Sequence, residues 1–371
     1  MQVDYLIVGS GLTGAVIARM LADHGRDVLV VDRRPHPGGN VHDHVHPSGV
    51  RVHTYGPHYF RTSSERIWDF ATRFASFYSY EAEIRSAIDG ELAQWPVAGS
   101  YIRRTLGEHW TAEFTGQPSN FEEAALAIMP RLIYEQFVKE YNAKQWGVPC
   151  KELQASLCGR FDVRHDDEPR LTPKALHQGL PELGYASWMQ SMLQGIPVIL
   201  QYDFLRRRGD IHAKKHLVFT GPIDEFFGYE LGKLAYRGQK RCHRYHADVG
   251  FLQPVGQVNN PLHRGGPHIR TLEWKHMMQP SFRDRIAGTV LTTETPFSPD
   301  NPSDYEYPFP DQRNALLYEE YRQRAASLDN VTIAGRLGEY RYYDMDQAIG
   351  RAMVIANRLL GADATAMASA P

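Results

Sequence analysis

What the chain has little of narrows it first. Its 371 residues hold three cysteines, Cys150, Cys158 and Cys242. They show no C-x-x-C spacing, and an odd count does not build a disulfide framework, so a reducing, cytoplasmic setting is expected. Charge of one sign is also missing: 41 Lys and Arg against 43 Asp and Glu leave a formal −2. No cationic excess is left to release counterions from a nucleic acid or to hold an acidic membrane. No apolar run nears the length of a bilayer span, so membrane insertion is not expected either. No Ser/His/Asp set, no paired carboxylates and no internal repeat stand out. With 42% hydrophobic residues, a chain of this length suits two or three globular domains.

What is there begins at the N-terminus. Val3-Asp4-Tyr5-Leu6-Ile7-Val8 is short and mostly apolar, as a strand buried on both faces should be, and is not read as a signal peptide. It runs into Gly9-Ser10-Gly11-Leu12-Thr13-Gly14. Ala15, Val16, Ala18, Met20, Leu21 and Ala22 then give a helical apolar stripe that Gly25 stops, and residues 27–32 form a second strand ending in Asp32. This is the dinucleotide fingerprint. Gly9 serves the tight turn, Gly11 the approach to a pyrophosphate, Gly14 the packing of helix on strand, and Asp32 a ribose hydroxyl; the helix N-terminus would face the phosphates. The basic run Arg33-Arg34-Pro35-His36-Pro37, closing on Gly38-Gly39-Asn40, favours a longer buried cofactor, FAD rather than NAD.

Further on, polar and apolar residues alternate over 41–54 around His46-Pro47-Ser48-Gly49, a hairpin pattern. It would place His42, His44 and His46 on one face. No carboxylate or cysteine cluster completes a ligand set, so no metal is expected. Gly56-Pro57-His58-Tyr59-Phe60-Arg61-Thr62 forms a loop that can lay His58 and Arg61 against the cofactor, ahead of a helix capped by Ser63 or Ser64. Asp89-Gly90 marks a hairpin. A helical pattern starts near Asn120, breaks at Pro130 and resumes over 134–145, with Phe137 and Tyr141 four residues apart and Trp146 beyond. Residues 160–180 are polar and irregular and read as a lid. Leu217-Val218-Phe219-Thr220-Gly221 and Val331-Thr332-Ile333-Ala334-Gly335-Arg336 are strands ending at glycine. The second precedes a helix from about 345 to 360, so both return to the cofactor sheet; 362–371 is read as a disordered tail.

Together these residues resemble the bacterial UDP-galactopyranose mutase family. The similarity lies in residues 56–62, in Tyr141-Asn142-Ala143-Lys144-Gln145-Trp146-Gly147, in Phe219-Thr220-Gly221-Pro222-Ile223-Asp224-Glu225-Phe226-Phe227, in 270–276 and in 335–346. The resemblance implies an α/β plus α+β protein with three parts. A Rossmann-like FAD-binding domain is assembled from 1–62, 190–240 and 325–361. A helical domain covers 63–80 and 98–189, with a mobile lid near 160–180, and a twisted antiparallel sheet domain covers 81–97 and 241–324. The implied activity is an isomerase that interconverts pyranose and furanose forms of a nucleoside-diphosphate hexose without net redox. Reduced flavin would attack the anomeric carbon through N5, and an external donor such as NAD(P)H would reduce it.

Matching residue by residue, the resemblance makes Arg160 and Arg270 a pair of arginines clamping the diphosphate. His58 and Arg61 lie beside flavin and sugar. Phe137 and Tyr141 hold the base, Trp146 borders the sugar, and Tyr307 and Tyr342 bond the phosphates; Arg164 and Glu294 complete the expected substrate site. Gly9, Gly11, Leu12, Thr13, Gly14, Asp32, Arg33, Gly39, Asn40, Gly335, Arg336, Asp344 and Met345 are the expected cofactor residues. Two departures matter. Arg61 replaces the family's usual histidine, and the lid carries residues 165–172, with Leu171 near the place of a phosphate-contacting tyrosine, so the sugar and the base stay open. A homodimer is one expectation, with the oligomeric state otherwise open. The competing reading, a flavin oxidoreductase of the amine-oxidase type, shares the first fingerprint and the closing strand but gives no reason for two clamping arginines.

Overall fold

The computed structural model describes residues 1–161 and 163–368, without the side chains of Arg160 and 362–368. A five-stranded parallel sheet forms its base, in the order Val198–Ile199, Val28–Val31, Gln2–Val8, His212–Phe219, Val331–Ile333. The Gln2–Val8 strand is central and its last four residues are buried, which is why its sequence shows no polar alternation. Helix Leu12–Asp23 packs on this sheet and against the last helix, Met345–Ala368. That helix runs past the expected end near 360. The Ala-rich stretch 362–368, expected to be disordered, continues it, in line with the high helix propensity of alanine. Residues 369–371 lie outside the described residues.

A seven-stranded sheet stands over this base, in the order Tyr307–Pro308, Tyr236–His246, Thr289–Phe297, Arg270–Glu273, Gln257–Asn259, Ile84–Ile88, Glu91–Trp95. It is antiparallel except where Gln257–Asn259 meets Ile84–Ile88. The two-residue turn joining the last two strands has Asp89 at φ 49° and Gly90 at φ 87°, the geometry that Asp-Gly favours. The hairpin over Asp43–Val45 and Arg51–His53 also forms.

The helical part has its own apolar core, built on Phe121, Ile133, Tyr134, Phe137 and Val138. Asn120 caps its Phe121–Leu126 helix by accepting from Glu123 N at 3.1 Å. Pro130 lacks an N–H and ends that run, and the chain restarts as Arg131–Ile133, a π-helical Tyr134–Lys139 and Glu140–Trp146, stopped by Gly147 at φ 76°.

Packing draws the division differently from the expected boundaries. Helix Glu65–Thr72 and residues 184–189 of helix Gly184–Met192, expected in the helical domain, bury Phe70, Tyr185, Trp188 and Met189 in the same core as Ile7 and Val16 of the dinucleotide half. Their aromatic residues need a thick apolar slab, which the parallel sheet supplies. Helix Gln312–Ala326 was not anticipated. Only Asn314 and Tyr321 of its residues are buried, so it carries no apolar stripe to read.

Candidate active site

The dinucleotide cleft forms where the first strand meets its helix. Gly9, Gly11, Leu12, Thr13, Asp32, Arg33, Gly39, Asn40, Gly335, Arg336 and Met345 all line it, and so does His58. Gly9 sits at φ +103°. A Cβ on Gly14 would lie 2.0 Å from Gly9 O, so the helix approaches the strand as the fingerprint requires. No side chain caps the helix at Gly11, which leaves its first N–H groups to an anion. Asp32 is held ready for a hydroxyl: Ser10 donates to its Oδ2 from N at 2.7 Å and from Oγ at 2.6 Å, and Arg34 N donates to Oδ1 at 2.8 Å. Arg33 borders the cleft but forks onto Glu225, at 2.9 and 2.7 Å. These features fit a dinucleotide.

A second cavity, of about 210 Å³, lies between the helical part and the large sheet, lined by Phe137, Tyr141, Trp146, Arg270, Tyr307 and Tyr342 among others. The π-helical turn around Phe137 displaces the helix by one residue, a device that recurs at functional sites, and both Phe137 and Tyr141 reach the cavity. Arg270, at the start of its strand, donates Nε to Glu294 Oε2 at 2.5 Å. Glu294 Oε1 accepts from Arg241 Nε at 2.8 Å, and Arg241 forks onto Glu306 at 2.8 and 2.9 Å. Two cations and two anions alternate in this buried row. Burial opposes ionisation of Glu294, but Arg270 and Arg241 prevail and hold its pKa below the ordinary carboxylate range. Burial also opposes the charge of Arg270, and Glu294 more than offsets it, so its pKa is raised. Burial raises the pKa of Glu306, with Arg241 opposing.

The cleft and the cavity share a wall. Arg336 lines the cleft while its guanidinium lies 4.5 Å from the Tyr342 ring centre and 5.8 Å from that of Tyr307. The two rings are stacked, 5.8 Å apart and 6° from parallel. Arg336 is fixed by Nη2 donating to Tyr343 O at 2.6 Å and Nη1 to Glu306 O at 3.2 Å. His58 is buried and donates Nδ1–H to Gly56 O at 2.8 Å. Burial, with His53 adding to it, lowers its pKa to about 3, so the ring is neutral and keeps Nε2 as an acceptor.

Other expected residues are placed elsewhere. Arg61 and Asp344 pair at 3.0 Å and line a neighbouring cavity that also includes Trp146 and Tyr342. Asp344 is not among the residues lining the dinucleotide cleft, although its neighbours Tyr343 and Met345 are. Arg164, expected to touch substrate, is buried in its own loop, donating to the carbonyls of Glu168, Arg170 and Leu171. Its loop needs those bonds to turn back on itself. That loop, expected to be a mobile lid, is strapped down: Gly99 N donates to Asp166 O, Ser100 N to Asp167, Leu171 N to Ala82 O, and Gln94 to Glu168 O. Arg160 ends the turn Ala155–Arg160, and its side chain lies outside the described residues. Leu157 and Phe161 beside it line the cavity.

Reading the sequence missed Arg241, Glu306 and Lys144. The signal for the first was the polar alternation Arg237, Gln239, Arg241 along one strand, whose side chains turn out to be buried. Lys144 puts its ammonium among four carbonyls, those of Asn260, Leu262, Gly266 and His268, at 2.5, 3.2, 3.2 and 3.0 Å. Among the described residues no group of three or more His, Cys, Asp or Glu side chains is arranged to hold a metal, and no helix is long and apolar enough to cross a membrane. His42 and His44 both hydrogen bond Thr54 Oγ1 at 3.0 Å.

The fold and the two abutting cavities define a dinucleotide-binding enzyme with a buried arginine–carboxylate row beside its cleft. Residues 7–74 match the NAD(P)-binding Rossmann-like domain and residues 136–342 match UDP-galactopyranose mutase. The chain is 32% identical to a probable UDP-galactopyranose mutase of Klebsiella pneumoniae, over 96% of this chain and 94% of that one. It is 31% identical to a dTDP-fucopyranose mutase of Escherichia coli, over 94% and 96%. It belongs to the UDP-galactopyranose mutase family. Its fold matches that of a reduced UDP-galactopyranose mutase, with TM-score 0.76, 16% identity and coverage of 97% and 96%. A putrescine oxidase shares the fold more distantly, with TM-score 0.61, 12% identity and coverage of 97% and 99%.

Proposed function

We propose that the chain is an isomerase converting a nucleoside-diphosphate hexose between its pyranose and furanose forms, with FAD as cofactor, working in the cytoplasm. The observation that carries this reading is the shared wall, with Arg336 on the cleft and on the Tyr307–Tyr342 stack beside Arg270. Bound and reduced, FAD would supply a nucleophilic nitrogen for the anomeric carbon.

The protein's own part is positioning and charge compensation. Phe137 and Tyr141 stack on the base. The free edge of Arg270 takes a diphosphate oxygen, with hydroxyls of Tyr307 and Tyr342 beside it, and Arg160 is the second clamping arginine. Gly11 and the N–H groups of Leu12 and Thr13 hold the FAD pyrophosphate, and Asp32 holds its ribose. Neutral His58 offers an acceptor at the cleft, and Trp146 and Arg61 border the sugar. An amine-oxidase chemistry has no use for the Arg270–Glu294–Arg241–Glu306 row.

The test is a panel of UDP- and dTDP-linked hexoses incubated with the purified yellow protein and dithionite, with products separated chromatographically. Furanose formed only under reduction supports the reading; a colourless protein, or steady substrate oxidation in air, would overturn it. A panel of NAD(P)H donors identifies the reductant.

A further inference from the structure

A third cavity, of about 250 Å³, shares no lining residue with either site. It lies beneath the Asp43–Val45 and Arg51–His53 hairpin, between the start of helix Gly184–Met192 and the turn Trp274–Met277. Leu180, Pro181, Met277, Met278 and Ile286 give it apolar walls. Polar side chains interrupt them, His53 and Arg51 among them.

His53 is 3% exposed. Its Nδ1 accepts from His58 N at 3.1 Å, so the ring proton is on Nε2, for which no described residue provides an acceptor. Burial first, and Arg51 second, lower its pKa to about 3, so the ring is neutral and Nε2 stays a donor. Arg51 gives Nη1 to Asp43 at 3.2 Å and keeps Nε and Nη2 without an acceptor among the described residues. Asp43 does not cancel its charge fully, because Tyr185 N and Ala186 N at the start of a helix also donate to that carboxylate, at 2.7 and 3.1 Å. Glu182 is the remaining charged wall, which disfavours a dianion.

We propose that this cavity is a separate ligand site for a small monocarboxylate with an aromatic or branched apolar body, its carboxylate taken by Arg51 and His53. The volume suits a ring: an apolar cavity of about 150 Å³ accommodates benzene. Leu183 and Phe282, 62% and 45% exposed, form an open apolar rim. The site also touches the cofactor side, since His53 accepts the N–H of His58 and Tyr185 donates its hydroxyl to His58 O at 2.9 Å.

Titration calorimetry of the cofactor-loaded protein with benzoate tests this, with benzyl alcohol as the uncharged control. Saturable binding in the low millimolar range or tighter is expected, about tenfold weaker for the alcohol and for Arg51→Met. Ile286→Phe, which narrows the apolar wall and leaves the polar groups alone, should abolish it, and saturating UDP should not. Absence of saturable heat, equal affinity for acid and alcohol, indifference to Ile286→Phe, or full competition by UDP would each overturn the proposal. The mutase assay is read separately, so failure here leaves the proposed activity untouched.

Discussion

Arg270 donates one edge of its guanidinium to Glu294 at 2.5 Å, which turns the other edge toward the cavity that holds Tyr141, Tyr307 and Tyr342. The carboxylate is thus an aiming device, and it is itself aimed by Arg241.

Arg270→Ala is expected to leave the visible flavin spectrum unchanged and to lower kcat by about 30- to 1000-fold, since the proposed charge-assisted clamp on a leaving diphosphate would contribute about 2 to 4 kcal/mol. Glu294→Ala should do something different. It leaves the buried Arg270 without its carboxylate and Arg241 with Glu306 alone, so about 3 to 5 kcal/mol of stability should also go. Thermal melts beside turnover separate the two effects; equal melting of both variants would contradict the aiming role.

Gly14→Val should give a protein without flavin colour. The added Cβ meets Gly9 O at 2.0 Å, which forces helix and strand apart at the proposed pyrophosphate site. The ratio of flavin to protein absorbance measures this, and full flavin occupancy would refute it.

Acid should weaken the fold through His53. Its pKa is about 3 in the folded chain and about 6.5 unfolded, so between those values the unfolded chain binds the extra proton and stability falls as pH falls. The slope is up to about 1.4 kcal/mol per pH unit. Urea midpoints at pH 7, 6 and 5 should fall less steeply for His53→Gln, whose side-chain oxygen can still accept from His58 N. Identical slopes would rule the contribution out.

Arg61→Ala should change which sugar is preferred, not whether flavin binds. Arg61 pairs with Asp344 beside Trp146, and losing that pair would open space next to the proposed sugar position. Comparing kcat/KM for UDP-galactopyranose and dTDP-fucopyranose checks this; an unchanged ratio would argue that Arg61 is only structural.

The dinucleotide half was legible because its rules are local. A strand buried on both faces, a glycine turn and a helix follow one another within 32 residues, and Gly9, Asp32 and Gly39 all face the cleft. Arg270 and Glu294 were named through resemblance alone, which did not point to Arg241 or Glu306, whose pairing depends on strand register across the large sheet. Arg164 was misplaced for a related reason: nothing in a polar loop tells whether an arginine reaches for a ligand or for the loop's own carbonyls. The domain boundaries slipped because Trp188 and Phe70 read as generic apolar residues until the sheet they cover is known.

Lys144 ties the cavity's two walls at their base. Its helix carries Tyr141 and Trp146, and the carbonyls around its ammonium precede the strand that begins at Arg270. The helix that brings Tyr141 and Trp146 to the cavity and the strand that brings Arg270 are therefore pinned to each other through one buried ammonium, and a substitution at Lys144 would loosen both walls at once.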